Sequence, residues 1–204
     1  MPNRNQEIEA KFYVTGLDRT RARLRKAGAR LIQGRTLETN IRFDLPGGLL
    51  RSEGRVLRLR QDTEARLTYK GASKNEHGAL SRTEIEIMVD DFGKAKQFLE
   101  ALGYQEWMRY DKYREIHEFN DCHIMLDELP YGPFVEIEGN SVDEIHKTAD
   151  RLGLGWEAAV AKSYQALFES VKSALRLNIR DLSYENFAGI EVKPEHLGVV
   201  PADV

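Results

Sequence analysis

Glu7-Ile8-Glu9-Ala10-Lys11-Phe12-Tyr13-Val14 alternates charged and apolar residues with period two, the pattern of a strand with two unlike faces. Successive side chains on a strand point to opposite sides, so Glu7, Glu9 and Lys11 share one face and Ile8, Ala10 and Phe12 the other. Two carboxylates and an ammonium side by side are unusual on a strand. The pattern recurs down the chain. Arg58 with Arg60, Arg66 with Lys70, Arg82 with Glu84 and Glu86, Lys112 with Arg114, Asp127, and Glu136 with Glu138 each occupy the charged face of a predicted strand. The opposite faces are mostly Ile, Leu, Val, Phe or Tyr.

Helices separate these strands. Thr15-Gly16 turns the chain, Asp18 is a cap for a helix to about Ala27, and Gly28 is its stop. Thr36 to Leu45 reads as extended, and Pro46-Gly47-Gly48 as a turn. Residues 71–78 read as a polar loop. Asp90 or Asp91 opens a second helix striped by Phe92, Ala95, Phe98, Leu99 and Leu102, and Gly103 ends it. Strands are predicted near 111–118, 123–127 and 134–138. Ser141-Val142-Asp143-Glu144 has the spacing of a capping box and starts a third helix. Residues 158–175 read as helical. Residues 176–204 form an extension to which the sequence assigns no fold or role, and 1–175 the domain proper. The segments from Glu7 to Gly71 and from Glu84 to Gly139 echo each other, which suggests two duplicated halves about a pseudo-twofold axis.

The 204 residues include 30 Lys and Arg against 33 Asp and Glu, a net charge of −3. That balance speaks against nucleic-acid and membrane-surface partners, which select a basic excess. The single cysteine, Cys122, excludes an internal disulfide framework and points to a reduced, cytoplasmic setting. No apolar run approaches the ~18 residues of a membrane span.

A wet-faced antiparallel sheet is the ordinary meaning of such alternation. Two features favour another. The polar positions are dominated by fixed charge of both signs, and the striped helices need the strands' apolar faces as partners. The helices are then outside and the charged faces inside. The expected fold is α+β, a closed antiparallel β-barrel of about eight strands with a charged interior and helices packed around it. Like charges at ~4 Å repel by about 4 kcal/mol at an effective dielectric of ~20, so such a lumen suits a strongly charged ligand. The Arg and Lys set supplies many donors, and Arg forks match phosphate oxygens. Carboxylates facing the same space suit Mg²⁺ or Mn²⁺, which combine one or two carboxylates with waters and substrate phosphates. Together they describe a polyphosphate site.

The ordered set Glu7-x-Glu9-x-Lys11, Leu57-Arg58-Leu59-Arg60, Leu67-Thr68-Tyr69-Lys70-Gly71, Arg82-Thr83-Glu84-Ile85-Glu86, Lys112-Tyr113-Arg114, Leu126-Asp127-Glu128, Phe134-Val135-Glu136-Ile137-Glu138 and Lys162-Ser163-Tyr164 resembles the CYTH superfamily, the triphosphate tunnel metalloenzymes. The likeness spans about residues 5–170 and is nearest the class IV adenylyl cyclase branch with its thiamine-triphosphatase-like relatives. The resemblance implies Glu7, Glu9, Glu136 and Glu138 as metal ligands, supported by Glu84, Glu86 and Asp127. It implies Lys11, Arg58, Arg60, Lys70, Arg82, Lys112 and Arg114 as phosphate-binding bases. Lys70 is the candidate for positioning or activating the nucleophile. Mg²⁺ or Mn²⁺ is the implied cofactor, a triphosphate-bearing small molecule (inorganic triphosphate, ATP or thiamine triphosphate) the implied substrate, and a homodimer the implied assembly.

If water attacks, the product is a shorter phosphate chain. If the ribose 3′-hydroxyl of ATP attacks, the products are cyclic AMP and pyrophosphate. Hydrolysis asks less of the site, because no ribose must be oriented. A non-catalytic polyphosphate binder is the third reading, disfavoured because binding alone needs only the bases. Arg19, Arg21, Arg23 and Arg25 read as a solvated helix face, Trp107 and Trp156 as packing residues, and the five histidines as surface or packing residues.

Overall fold

The computed structural model describes residues 6–76 and 79–204, with side chains described for 8–74 and 81–204. The Glu7 side chain and His77 lie outside the described set. Along the chain run β1 (Gln6–Tyr13), α1 (Leu17–Ala27), β2 (Arg30–Asp44), α2 (Leu49–Ser52), β3 (Val56–Gln61), β4 (Ala65–Lys70), β5 (Lys74–Glu76) and β6 (Ala79–Val89). There follow α3 (Phe92–Ala101), β7 (Gln105–Phe119), β8 (Cys122–Leu129), β9 (Gly132–Glu138), α4 (Val142–Arg151), α5 (Tyr164–Leu175) and α6 (Pro194–Leu197).

The strands pair in the order β1-β9-β8-β7-β2-β3-β4-β6, and β6 pairs back onto β1. An eight-stranded antiparallel barrel closes in this way, with the short β5 attached to β6. Exchanging β1–β4 with β6–β9 maps the pairing list onto itself. β1·β9 becomes β6·β4 and β2·β3 becomes β7·β8, while β2·β7 and β1·β6 are unchanged. The ring thus carries the twofold relation expected of duplicated halves.

The outward apolar faces form two clusters beneath the helices, and a third cluster lies on the inward face at one end of the barrel, under α5. Leu24 of α1 and Ile145 of α4 cover Phe12, Ile124, Val135 and Ile137. Leu99 of α3 covers Ile41, Phe43 and Leu59. Leu167, Phe168 and Val171 of α5 pack on Met108, Tyr131 and Phe134 together with Leu182, Phe187 and Leu197 from the last stretch of chain. The extension therefore packs with α5 at that end of the barrel. Leu182 donates to the Arg109 carbonyl at 3.0 Å and accepts from the Asp111 N–H at 2.9 Å. The Asp203 carboxylate accepts from Thr15 N and Oγ1, both at 2.8 Å.

Several local expectations need correction. The cap of α1 is Gly16, and Asp18 instead pairs with Arg21 at 2.6 Å within the first turn. Gly28, at φ +79°, ends the helix in the left-handed conformation that glycine adopts without strain. β2 and β7 begin at Arg30 and Gln105, six residues earlier than predicted, because each pairs with the other over fifteen-residue strands. The stretch before α5 is a short 3-10 turn followed by extended chain, and Ser163 caps the helix by accepting from Ala166 N. The loop at 71–78 contains β5. Phe98 and Leu102, read as part of an inward stripe, are 65% and 58% exposed, since α3 leans on the barrel through Leu99. The arginine face of α1 is not simply solvated: Arg21 reaches Glu115 at 3.1 Å, while Arg19 and Arg23 donate to the Asp203 and Leu152 carbonyls. Among the described residues, no helix is long and apolar enough to cross a membrane.

Leu197 is fully buried in the cluster formed by α5 and the extension. Leu197→Ala should therefore cost about 2–5 kcal/mol of unfolding free energy. Urea denaturation measures this, and a loss near that of an exposed alanine substitution would show that the extension does not share the core.

Candidate active site

The barrel encloses a cavity of about 650 Å³. Its lining follows from the inverted alternation: strands with apolar faces against helices must turn their charges inward. On the β1/β9 wall, Glu9 stands directly opposite Glu138 and Lys11 opposite Glu136. Lys11 Nζ lies 2.6 Å from Glu136 and 3.8 Å from Glu9. Burial opposes charge on both partners. The neighbouring Glu136 and Glu9 nevertheless raise the Lys11 ammonium above its ordinary value. Lys11, Arg114 and Lys112 likewise hold the Glu136 carboxyl well below the usual carboxylate range.

Most of the remaining bases come from β3, β4 and β6. Arg58, Arg60 and Lys70 line the cavity, with Lys70 paired to Glu84 at 3.0 Å and Arg60 to Glu86 at 3.4 Å. Arg82, at the β6/β1 seam, reaches Glu9 at 3.5 Å. β7 adds Lys112 and Arg114 to the lining. Twelve sequence-predicted residues thus share one cavity: Glu9, Glu84, Glu86, Glu136 and Glu138 among the acids, and all seven bases. Asp127 is not on its surface. It shares the inward face of β8 with His123 and Met125 and is fully buried under the side chains that cover it: Arg114 donates to it at 2.6 and 2.5 Å, Lys112 at 3.0 Å and the Tyr164 hydroxyl at 2.7 Å. Its oxygens anchor the bases.

Other residues of the site were not picked out from sequence. Glu38, 1% exposed, lies 3.5 Å from Lys112 and 3.6 Å from Arg60. Burial pushes its carboxyl up, but Lys112, Arg114, Arg60 and Arg58 outweigh burial and bring it to about 2. Arg42 lines the cavity and contacts Gln165. Burial, with Arg58 and Arg82 nearby, lowers it to about 10. Tyr110, on the same face of β7 as Lys112, places its hydroxyl 3.4 Å from Arg58. Tyr164, part of the ordered motif set but given no role from sequence, stacks under Lys11 at 4.4 Å. Trp107, read as packing, lies under Arg51 at 4.4 Å. A signal for part of this set was present: Glu38, Asn40 and Arg42 alternate with Leu37, Ile41 and Phe43.

Among the described residues, no three His, Cys, Asp or Glu side chains gather into a ready-made metal cage. The Glu9–Glu138 opposition still fits a hard divalent cation, which takes one or two carboxylates and completes its shell with waters and phosphate oxygens.

Residues 5–164 match the CYTH domain family. A Methanocaldococcus jannaschii protein named "Putative adenylate cyclase" is 29% identical over 143 residues, which cover 69% of this chain and 80% of that protein. A Vibrio parahaemolyticus structure described in the same words has a TM-score of 0.72 at 20% identity, covering 81% of this chain and 98% of its own. A Hippeastrum protein with a described dominant triphosphatase activity has a TM-score of 0.62 at 17% identity, covering 80% and 95%.

Glu38 titrates at about 2 when folded against 4.5 ordinarily. A depressed carboxyl contributes stability that is complete above the unfolded value and is lost as pH falls through the folded one. Wild-type protein should lose on the order of 3 kcal/mol through this group between about pH 5 and pH 2. Glu38→Gln should lack that share of the acid limb. Urea unfolding across this range checks it, and identical pH slopes for the two proteins would refute the assignment.

Proposed function

The chain belongs to the CYTH domain family, and from that premise we propose that it is a divalent-metal-dependent phosphohydrolase acting on inorganic or organic triphosphate. One arrangement carries this reading: carboxylates opposed across β1 and β9, and bases of β3, β4 and β7, around one shared cavity. Arg58, Arg60, Lys112 and Arg114 grip the phosphate oxygens and stretch the chain along the tunnel. Their guanidinium and ammonium groups are already oriented by Asp127, Glu38 and Glu86, so little reorganisation accompanies binding. Lys11, held as a cation between Glu136 and Glu9, offers a further donor at the β1/β9 wall. Glu9 and Glu138, with Glu136, would hold Mg²⁺ or Mn²⁺, which supplies offset for charge developing on the leaving phosphate. Lys70, paired with Glu84, suits orientation of phosphate better than proton abstraction. Asp127 acts through the bases that it anchors.

Adenylyl cyclase activity is the second reading, favoured by the name of the M. jannaschii relative. It needs the same grip on phosphate and differs in the attacking hydroxyl. A polyphosphate binder would have no use for the opposed carboxylates.

Assays with inorganic triphosphate, ATP and thiamine triphosphate, each with Mg²⁺ or Mn²⁺, should give phosphate release as the main product. Cyclic AMP as the main product would replace the hydrolase reading with the cyclase one, and binding without turnover would favour the binder. Glu9→Gln and Glu138→Gln should each lower metal-dependent turnover by ~10²-fold while leaving the circular dichroism spectrum unchanged. Full activity in both variants would remove these carboxylates from the metal site.

A further inference from the structure

Hydrolysis needs a group that takes a proton from the attacking water, and the other acids of the cavity are engaged: Glu9 and Glu138 are assigned to metal, and Glu84 and Glu86 are paired with Lys70 and Arg60. Lys11 and Lys70 stand in ion pairs with Glu136 and Glu84. Glu136 and Glu38 are held so far below the carboxylate range that they are weak bases. Tyr110 differs in placement and in chemistry. Its hydroxyl faces the cavity 3.4 Å from Arg58 Nη1, one contact from a guanidinium assigned to phosphate. Lys112 follows it on the same face of β7, Asn40 is its register partner on β2, and Arg42 comes next on that face of β2. Tyr131 is its phenolic neighbour. Arg58, Lys112 and Arg42 are the cations nearest it, and the Glu38 carboxylate, next to Asn40 on the other side and paired with Lys112, is the acid that faces it. Burial pushes the Tyr110 phenol up, but Arg58, Lys112 and Arg42 outweigh burial and lower it. The backbone is fixed on both sides: Leu182 of the extension bonds the Arg109 carbonyl and the Asp111 N–H, and its side chain lines the same cavity.

We propose that Tyr110 is a catalytic residue of the tunnel, the acceptor of the proton from the water that attacks the triphosphate held at Arg58. The assignment rests on the hydrolase reading. In the step, a water O–H proton passes to the phenolate oxygen as the water oxygen bonds to phosphorus. The bond from phosphorus to the bridging oxygen breaks, and its electron pair leaves with the shorter phosphate. The proton returns to solvent when product departs, so no further reactant is consumed.

Tyr110→Phe keeps the ring and removes only the hydroxyl. On whichever triphosphate the wild type turns over, kcat should fall ~10²-fold with KM within about threefold, and the rise of kcat with pH on the acid side should vanish. Without substrate, near-ultraviolet titration of wild type against the variant should show one phenol ionising below the ordinary tyrosine value of about 10. A kcat within threefold of an active wild type with an unchanged pH profile, or no early-ionising phenol, would overturn the assignment to Tyr110 alone. A wild type inert toward all three triphosphates would overturn the hydrolase reading and this role together.

Discussion

Asp127 is a carboxylate with no exposure to solvent, and four donors from three residues converge on it. Everything inside the barrel depends on ion pairing of this kind. A closed sheet whose helices occupy the outside has only its interior left for charge, and a buried charge is tolerated only when paired and hydrogen-bonded. Asp127 and Glu136 hold Arg114, and Asp127 and Glu38 hold Lys112. The acids thus make it feasible to gather bases at spacings that would otherwise repel strongly. The same arrangement leaves the tips of those bases oriented toward the cavity before any ligand arrives.

The symmetry of the ring and the asymmetry of its charges together shape the site. β9 and β4 occupy equivalent places in the two halves, yet β9 brings Glu136 and Glu138 to the lumen while β4 brings Lys70. β8 contributes the buried Asp127, whereas its counterpart β3 contributes Arg58 and Arg60 to the lining. A scaffold of two like halves therefore presents an acidic wall and a basic one. Such polarity suits a ligand that must be gripped by cations along its length and approached by a divalent ion from one side.

The extension ties the site to the rest of the molecule. It adds Leu182, Phe187 and Leu197 to the core beside α5, and its last residues accept hydrogen bonds from Thr15. By bonding to β7 around Tyr110, it reinforces the one strand that brings Tyr110, Lys112 and Arg114 into the cavity.

The sequence by itself determined the barrel and most of its lining. Period-two alternation decides which side chains share a face, and striped helices decide which face is outside, so the inward direction of Glu9, Lys11, Arg58 and Lys112 was legible. Gly28, Asp91 and Ser141 likewise marked helix ends, because caps and stops are local chemistry. Only the tertiary structure decided what the charges do to each other. Strand register sets whether Glu9 meets Glu138, and whether Asp127 lies beside Arg114 as its anchor. Register is a relation between segments, far apart in the chain for Glu9 and Glu138, which a one-dimensional pattern does not encode. The same holds for Tyr110 and Glu38. Each looks ordinary on its own strand, and the cations that change its chemistry arrive mainly from other strands.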